Sequence, residues 1–497
     1  MRKLAFSCAC VIFGVAVALG AAAPKKKSTA KKPAAPVRKK TVARKTTAAP
    51  SRAATTAARR PTAARRPTTV RRKTTTVRTR TAARPAIIPA AIRATANDAV
   101  AQWLNVPGLM ENPAALIPFF EQLYRLERNE TSQVLRVFQY GDSHTAADEW
   151  SGTVRYLLQA RFGDGGNGFS HAGRPWLGYR RLDLKSWNSN GWYSDGLVGR
   201  DGDGLYGLAG VSMSTERPGE MVNLQTEAER AEFHFLRQPG GGRVEISDNG
   251  SVLEIIDTDG PGMPMIHKLP LTPGPHLLAA RTLDRKPVRL HGWVTENTRG
   301  LTWEMMGING AQASIGLKWE DAGLAPAYQE HAPALIVLAY GTNEARNKDW
   351  TFESYRDMFV ALLDKYRRLA PTASLLVIGP PDHQIRTRSG WAPHEKIDLI
   401  LEAQRAACKA RGAAFWDVRD RMGGKGAMRQ WVTAGMAQGD YVHFTGPGYR
   451  LLGAALYKEL MGQFATFARV RRETMEPKTA EFSAPDPTTN GQTNTNP

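Results

Sequence analysis

Val134-Leu-Arg-Val-Phe-Gln-Tyr-Gly-Asp-Ser-His144 decides how this chain is read. Val134 to Tyr140 is dominated by Val, Leu, Phe and Tyr, which predicts a strand. Gly141-Asp142-Ser143-His144 closes it, and the stretch from about Glu149 to Phe162 predicts a helix. Strand, sharp turn and helix make the unit from which parallel sheets are built. The order puts Ser143 just past a strand, where function gathers in open α/β sheets.

The same unit recurs downstream. Ala334 to Ala339 is a nearly continuous apolar run, as expected for a strand buried on both faces, and it ends at Gly341-Thr342-Asn343. Phe352, Tyr355, Phe359, Leu362, Leu363, Tyr366 and Leu369 recur at helical spacing, and Pro371 ends that helix. Leu375 to Ile378 is the next strand, Ile397 to Ala410 a helix, Ala413 to Val418 a strand, and Pro447 opens a last helix. Upstream, one helix is expected around Trp103 and another after Pro113, with Phe119, Phe120, Leu123, Tyr124 and Leu126 as its apolar stripe. The expected core is therefore a parallel sheet covered on both faces.

Residues 165–300 break that rhythm. Short alternating segments begin at Ala231, Arg243, Ser251 and Val288, separated by turn signals such as Asp248-Asn249-Gly250. This pattern predicts an all-β sandwich inserted into the α/β domain. Its aromatic residues, Trp176, Tyr179, Trp187, Trp192, Tyr193 and Tyr206, suit either stacking on sugar rings or a sandwich core.

Charge is unevenly placed in the 497 residues. Residues 1–97 hold 24 Lys and Arg and no Asp or Glu, whereas the remainder carries 43 basic and 46 acidic residues. The net charge of +21 thus belongs to a tail, not to the folded body. Arg2 and Lys3, the apolar run from Leu4 to Leu19, and Ala21-Ala22-Ala23 read as an export signal cleaved after Ala23, with an uncleaved anchor as the alternative. Residues 24–93 are Lys, Arg, Ala, Thr and Pro with almost no large apolar groups, a composition that predicts disorder. Such a tail suits either an electrostatic tether to anionic envelope polymer or lipid, or a solvated spacer. An exported chain rarely meets DNA, so no nucleic-acid partner is expected. Past the signal only Cys408 remains, which excludes an internal disulfide and a cysteine metal cluster there.

Four pieces carry chemistry. Ser143 offers a hydroxyl at a strand end. Gly439-Asp440-Tyr441-Val442-His443 can present a carboxylate and an imidazole from one loop, the pair that fixes a histidine tautomer and lets the other ring nitrogen take a serine proton. Asn343 can donate a side-chain N–H to an oxyanion, and Gly307-Ile308-Asn309-Gly310 can donate a backbone N–H. Other patterns fail. Gly202 to Gly207 fits G-x-G-x-x-G but follows no strand, leaving Asp201 or Asp203 open to a calcium ion. His394-Glu395 begins a zinc-protease pattern that Asp398 breaks, and His383, just past a strand, is read as structural.

The ordered set Gly-Asp-Ser, Gly, Gly-x-Asn and Asp-x-x-His resembles the SGNH/GDSL hydrolases. The stretches Gly141-Asp-Ser-His-Thr-Ala-Ala-Asp148, Gly163-Asp-Gly-Gly-Asn-Gly-Phe169 and Met306-Gly-Ile-Asn-Gly-Ala311 are similar to the bacterial peptidoglycan O-acetylesterases among them. The resemblance covers roughly residues 130–470. It implies a three-layer α/β/α, flavodoxin-like hydrolase domain with an inserted, carbohydrate-binding-like β module. It implies Ser143 as nucleophile, Asp440 and His443 as its partners, and Ser143, Gly310 and Asn343 as the oxyanion hole, with Gly307 the alternative to Gly310. His144 and Glu344 depart from the family pattern and are expected to stand outside the chemistry. The implied reaction is removal of O-acetyl groups from cell-wall peptidoglycan, in the periplasm or cell envelope, with no metal or cofactor. An esterase or acetyltransferase acting on another acetylated polysaccharide, and an inactive wall-binding protein, are the alternatives. The expected organisation is signal 1–23, basic tail 24–95, hydrolase 96–164 and 301–472, β module 165–300, and a disordered end from 473 to 497.

Overall fold

Continuous apolar strands need cover on both faces, and the computed structural model of the chain provides it. It describes residues 88–475 except 106, 109, 200 and 201. The expected signal, nearly all of the basic tail, most of the expected C-terminal end and Asp201 lie outside these residues. No helix among the described residues is long and apolar enough to cross a membrane.

Five strands form one parallel sheet: β1 Val134–Gly141, β2 Gly300–Gly307, β3 Leu335–Ala339, β4 Ser374–Ile378 and β5 Ala414–Trp416. Their spatial order is β2-β1-β3-β4-β5, the flavodoxin-like order, and every pairing is parallel. Side chains alternate between faces. Val137, Leu335 and Val337 join a cluster with Leu158, Leu456 and Phe464, from helix α4 (Glu149–Phe162) and the final helix Gly446–Met475. Phe138, Tyr140, Ile336 and Leu338 join another with Tyr328, Phe359 and Ile400, from α5 (Asp321–His331), α6 (Phe352–Leu369) and α7 (Lys396–Arg411). The result is three layers, as expected.

Residues 166–296 contribute two further sheets, with antiparallel pairing throughout. One runs Met263–Leu269, Arg230–Arg237, Val288–Glu296, Ser212–Thr215, Tyr193–Asp195, with Gly166–His171 also paired to Val288–Glu296. The other runs Lys185–Asn188, Met221–Ala228, Gly274–Thr282, Arg243–Asp248, Ser251–Asp257. Phe233 and Trp293 from the first sheet share a buried cluster with Leu224, Ile246 and Leu278 from the second. Asn249 and Gly250 turn the last hairpin with φ of 49° and 83°, the left-handed pair that a two-residue hairpin loop requires. Not all of the stretch belongs to these sheets. Tyr206, Leu208, Ala209 and Val211 pack into the α/β core beside Trp319. Of the aromatic residues read as sugar-stacking or core, Tyr179 and Tyr206 are buried, while Trp187 and Tyr193 are exposed. Asp203 is taken by Arg289, whose Nη1 and Nη2 donate to it at 2.7 and 2.9 Å.

The edges differ from expectation. Helix α1, Ala90–Asn105, begins six residues before Ala96, and the final helix runs to Met475, past the expected boundary at 472. Ala-rich sequence is a strong helix former even when it looks like tail.

Candidate active site

In the order β2-β1-β3 the chain path reverses between β1 and β3, which opens a crevice at their carboxyl ends. Ser143 follows β1 and Asn343 follows β3. At Gly141 an added Cβ would fall 2.1 Å from Thr145 Oγ1 and 2.7 Å from the Ala339 carbonyl, so only glycine lets β1 turn this tightly into the one-turn helix Ser143–Ala146. Asp142 caps that turn by accepting from the His144 N–H at 2.9 Å. Burial pushes the Asp142 carboxyl up to about 6, against the hydrogen bonds that favour its charge.

Ser143 Oγ lies 2.9 Å from His443 Nε2, and His443 Nδ1 lies 2.7 Å from Asp440 Oδ2. The other Asp440 oxygen accepts from the Val442 and His443 N–H groups, both at 3.0 Å. Tyr441 between them has φ 58°, the kink that folds this loop back on itself. Partial burial would raise the Asp440 carboxyl, but the bonds from the His443 ring and the two backbone groups outweigh it and hold it below the usual range. An ionised Asp440 fixes the proton on Nδ1 and leaves Nε2 to accept from the serine hydroxyl. Two segments, 300 residues apart in the chain, thus converge on one hydrogen-bonded line.

Gly310 and Asn343 are placed differently. Neither bonds to Ser143 among the described residues. Asn343 Nδ2 donates to the Ala311 carbonyl at 2.9 Å, which orients the amide and leaves its second N–H free. Gly310, with φ 78°, lines a neighbouring cavity of about 370 Å³ beside Tyr206 and Trp319. Asn309 of the same loop lines the cleft of about 410 Å³ that contains Ser143 and His443. Gly307 packs against the turn after Ser143, where an added Cβ would meet Ala146 N at 2.3 Å.

Two residues expected to stand outside the chemistry are drawn toward it. His144 is buried, its Nδ1 is 2.9 Å from Tyr449 Oη, and its ring centroid lies 5.2 Å from that of His443. Burial first, then the neighbouring His443, holds it far below the usual histidine range, so it stays neutral behind the outer imidazole. Glu344 Oε1 accepts from the Ala313 N–H at 2.7 Å and from Tyr355 Oη at 3.3 Å, so Asn343 and Glu344 together grip the loop that carries Gly310. Sequence also missed Arg180, which lines the cleft and donates to the Ala147 carbonyl at 3.2 Å and to Glu149 at 3.0 Å. His383 is fully buried, packs on His394 at 5.0 Å and is pushed down by burial to about 3, in keeping with a structural role.

Burial also pushes the Glu344 carboxyl up to about 7 from 4.5. The folded protein then holds this proton more tightly than the unfolded chain. Stability falls as pH rises from about 4.5 to about 7 and levels off above it. Glu344→Gln removes the titrating group and keeps an oxygen for Ala313. Relative to the variant, the wild type is expected to lose up to about 3 kcal/mol across that window. Thermal unfolding of both proteins between pH 4.5 and 8 checks this, and a gap that does not move with pH refutes it.

The chain thus combines a flavodoxin-like sheet, a serine after its first strand and an Asp-x-x-His loop before its last helix. The family model described as GDSL-like Lipase/Acylhydrolase matches residues 258–451, a stretch that holds Asn343, Asp440 and His443 but not Ser143. No curated protein matches the sequence. Among solved structures, the chain is similar to one described as "Peptidoglycan O-acetylesterase in action, 5 min", with 24% identity and a TM-score of 0.61 over 70% of this chain and 96% of that one. It is less similar to a lipase/acylhydrolase from Enterococcus faecalis (20% identity, TM-score 0.27, 33% of this chain and 78% of that one). A family two carbohydrate esterase from Cellvibrio japonicus gives 11% identity and a TM-score of 0.23 over 57% of this chain and 98% of that one.

Proposed function

We propose that the protein is an exported serine esterase that removes O-acetyl groups from cell-wall peptidoglycan through an acyl-serine intermediate. The observation that carries the reading is the line Ser143 Oγ, His443 Nε2, His443 Nδ1, Asp440 Oδ2, with steps of 2.9 and 2.7 Å, open to a cleft at the carboxyl edge of the sheet. His443 takes the Ser143 proton as the oxygen attacks the acetyl carbonyl. The free N–H of Asn343, the Ser143 N–H and the Gly310 N–H supply the oxyanion hole in this reading, Gly307 being the alternative to Gly310. His443 then returns the proton to the departing sugar hydroxyl, and water releases acetate from the serine by the same route.

The choice of peptidoglycan rests on the three sequence stretches that resemble O-acetylesterases of that polymer and on the likeness in fold to a structure described as one. The signal-like residues 2–23 fit export to that substrate, and the basic tail fits attachment to anionic envelope polymer or lipid. Acetate release from O-acetylated peptidoglycan tests the proposal, with acetylated xylan as a parallel arm. The wild type is expected to release acetate from the wall polymer in preference, and Ser143→Ala to release none. Preference for xylan moves the substrate to another polysaccharide. Failure to hydrolyse even an activated aryl acetate leaves a wall-binding protein instead.

A further inference from the structure

The amino edge of the parallel sheet, opposite Ser143, holds a cluster that ester hydrolysis does not use. Glu232 and His234 are two residues apart on the strand Arg230–Arg237, so they share one face of it. His331 ends helix α5, four residues before β3 begins. These three side chains meet where the antiparallel sheet packs on the hydrolase body.

His234 and His331 are almost wholly buried, at 3% and 2% exposed. Their rings lie nearly parallel, with centroids 5.6 Å apart and planes 12° apart, and both present Nε2 to the same carboxylate oxygen. Glu232 Oε2 is 3.2 Å from His234 Nε2 and 3.1 Å from His331 Nε2. The three donor atoms lie within 4.8 Å of one another. Ligand atoms on one tetrahedral zinc ion, each about 2.0–2.2 Å from the metal, stand about 3.3 Å apart, close to the two carboxylate separations.

The second observation is His331 itself. Neither of its ring nitrogens makes a hydrogen bond, although Nε2 is 3.1 Å from the carboxylate. The 3.1 Å spacing is that of two ligand atoms on one ion. A buried imidazole whose ring nitrogens make no hydrogen bond is costly, and its Nε2 faces the carboxylate of the cluster.

The surroundings suit a cation. The cations that line the adjoining cavity have carboxylates of their own: Arg136 Nε and Nη2 donate to Glu296 at 2.6 Å each, Arg230 Nη2 donates to Glu296 at 3.0 Å, and Lys268 pairs with Glu330 at 2.6 Å. Glu232 and His331 line a cavity of about 680 Å³ that reaches solvent beside Gln133 and Lys268, which gives an ion a way in and room for a water as a further ligand.

We propose that Glu232, His234 and His331 form a site for a divalent transition-metal ion, with Zn²⁺ as the occupant, that clips the antiparallel sheet to the hydrolase body. Two imidazoles and one carboxylate are a borderline donor set that suits zinc and favours it over calcium or magnesium, which take oxygen ligands. The site is structural and independent of the esterase reading.

The test uses the full chain without an affinity tag, stripped with chelator, equilibrated with Zn²⁺ alone and desalted. Elemental analysis is expected to find one zinc per chain. Co²⁺ in its place is expected to give the visible absorption of a tetrahedral ion, and Zn²⁺ is expected to raise the thermal midpoint. His331→Phe keeps a ring against His234 but has no ligand atom. It is expected to weaken zinc binding by more than the roughly 10- to 100-fold that loss of an outer-shell partner costs, and to abolish the thermal shift. His443→Ala is expected to keep the metal, which separates this site from the catalytic histidine. Circular dichroism verifies the fold of each variant, and Glu232→Gln replaces His331→Phe if the latter does not fold. A stripped wild type that retains no zinc, or zinc retained unchanged in the variants, overturns the proposal.

Discussion

Ser143→Ala is expected to lower kcat on an activated aryl acetate by a factor on the order of 10⁴–10⁶, His443→Ala by a similar factor, and the two together by no more than either alone. The reason is geometric. The Ser143 hydroxyl is a weak nucleophile until His443 Nε2, 2.9 Å away, takes its proton, so each group is useless without the other. Asp440→Asn is expected to cost less, about 100-fold or more. Its side chain is 46% exposed, and water can stand in part of the way as partner to His443 Nδ1. Single-turnover and steady-state rates on the four proteins check the pattern. Losses that multiply in the double variant show that the two side chains act independently and break the mechanism.

The parallel sheet was legible because burial on both faces leaves a plain mark. Leu335-Ile-Val-Leu-Ala339 is apolar at every position, and every one of its residues is buried. Strand ends were legible for a different reason: glycine is needed where β1 and β3 turn, Gly141 because no Cβ fits and Gly341 because its φ is 131°. Short motifs carried Ser143 and Asn343 at those ends, and Asp440 and His443 in the loop before the final helix. What escaped depends on distance in the chain. His144 meets Tyr449 across 305 residues, and nothing local marks the pair. Arg180 sits in a Gly-rich stretch with no periodicity to place it. Glu232 and His234 read as one face of a strand, and only the fold brings His331 to them. Helix α1 was hidden by composition, since Ala90 to Thr95 resembles the tail before it, while Ala96 and Val100 supply its buried contacts. The placement of Gly310 beside a second cavity, with Asn309 toward the serine, turns on one loop whose path no motif specifies.

Asp148→Ala is expected to destabilise the fold by about 3–5 kcal/mol, the cost of leaving buried charge without its partner. Asp148 stands five residues after Ser143, at the start of α4, with φ 53° and a side chain fully excluded from solvent. One oxygen accepts from Ser151 Oγ at 2.9 Å and Arg155 Nη1 at 3.1 Å. The other accepts from Arg155 Nη2 at 2.9 Å and from the Leu182 N–H at 2.8 Å. Asp183 pairs with Arg155 at 3.1 Å and with Arg181 at 2.6 Å, so two arginines and two aspartates balance in a nearly dry site. Removing Asp148 leaves two buried guanidiniums facing one carboxylate. The paired variant Asp148→Leu with Arg155→Met removes one charge of each sign and is expected to cost less than the single change. That ordering separates charge balance from lost packing. The Leu182 bond also ties the segment carrying Arg180 to the helix behind the serine, so the single variant is expected to lose esterase activity at temperatures where the wild type is still folded. Denaturant midpoints of the single and paired variants decide the matter: if the pair is the less stable, the network contributes through contacts and shape, and charge balance is not what holds this corner of the cleft.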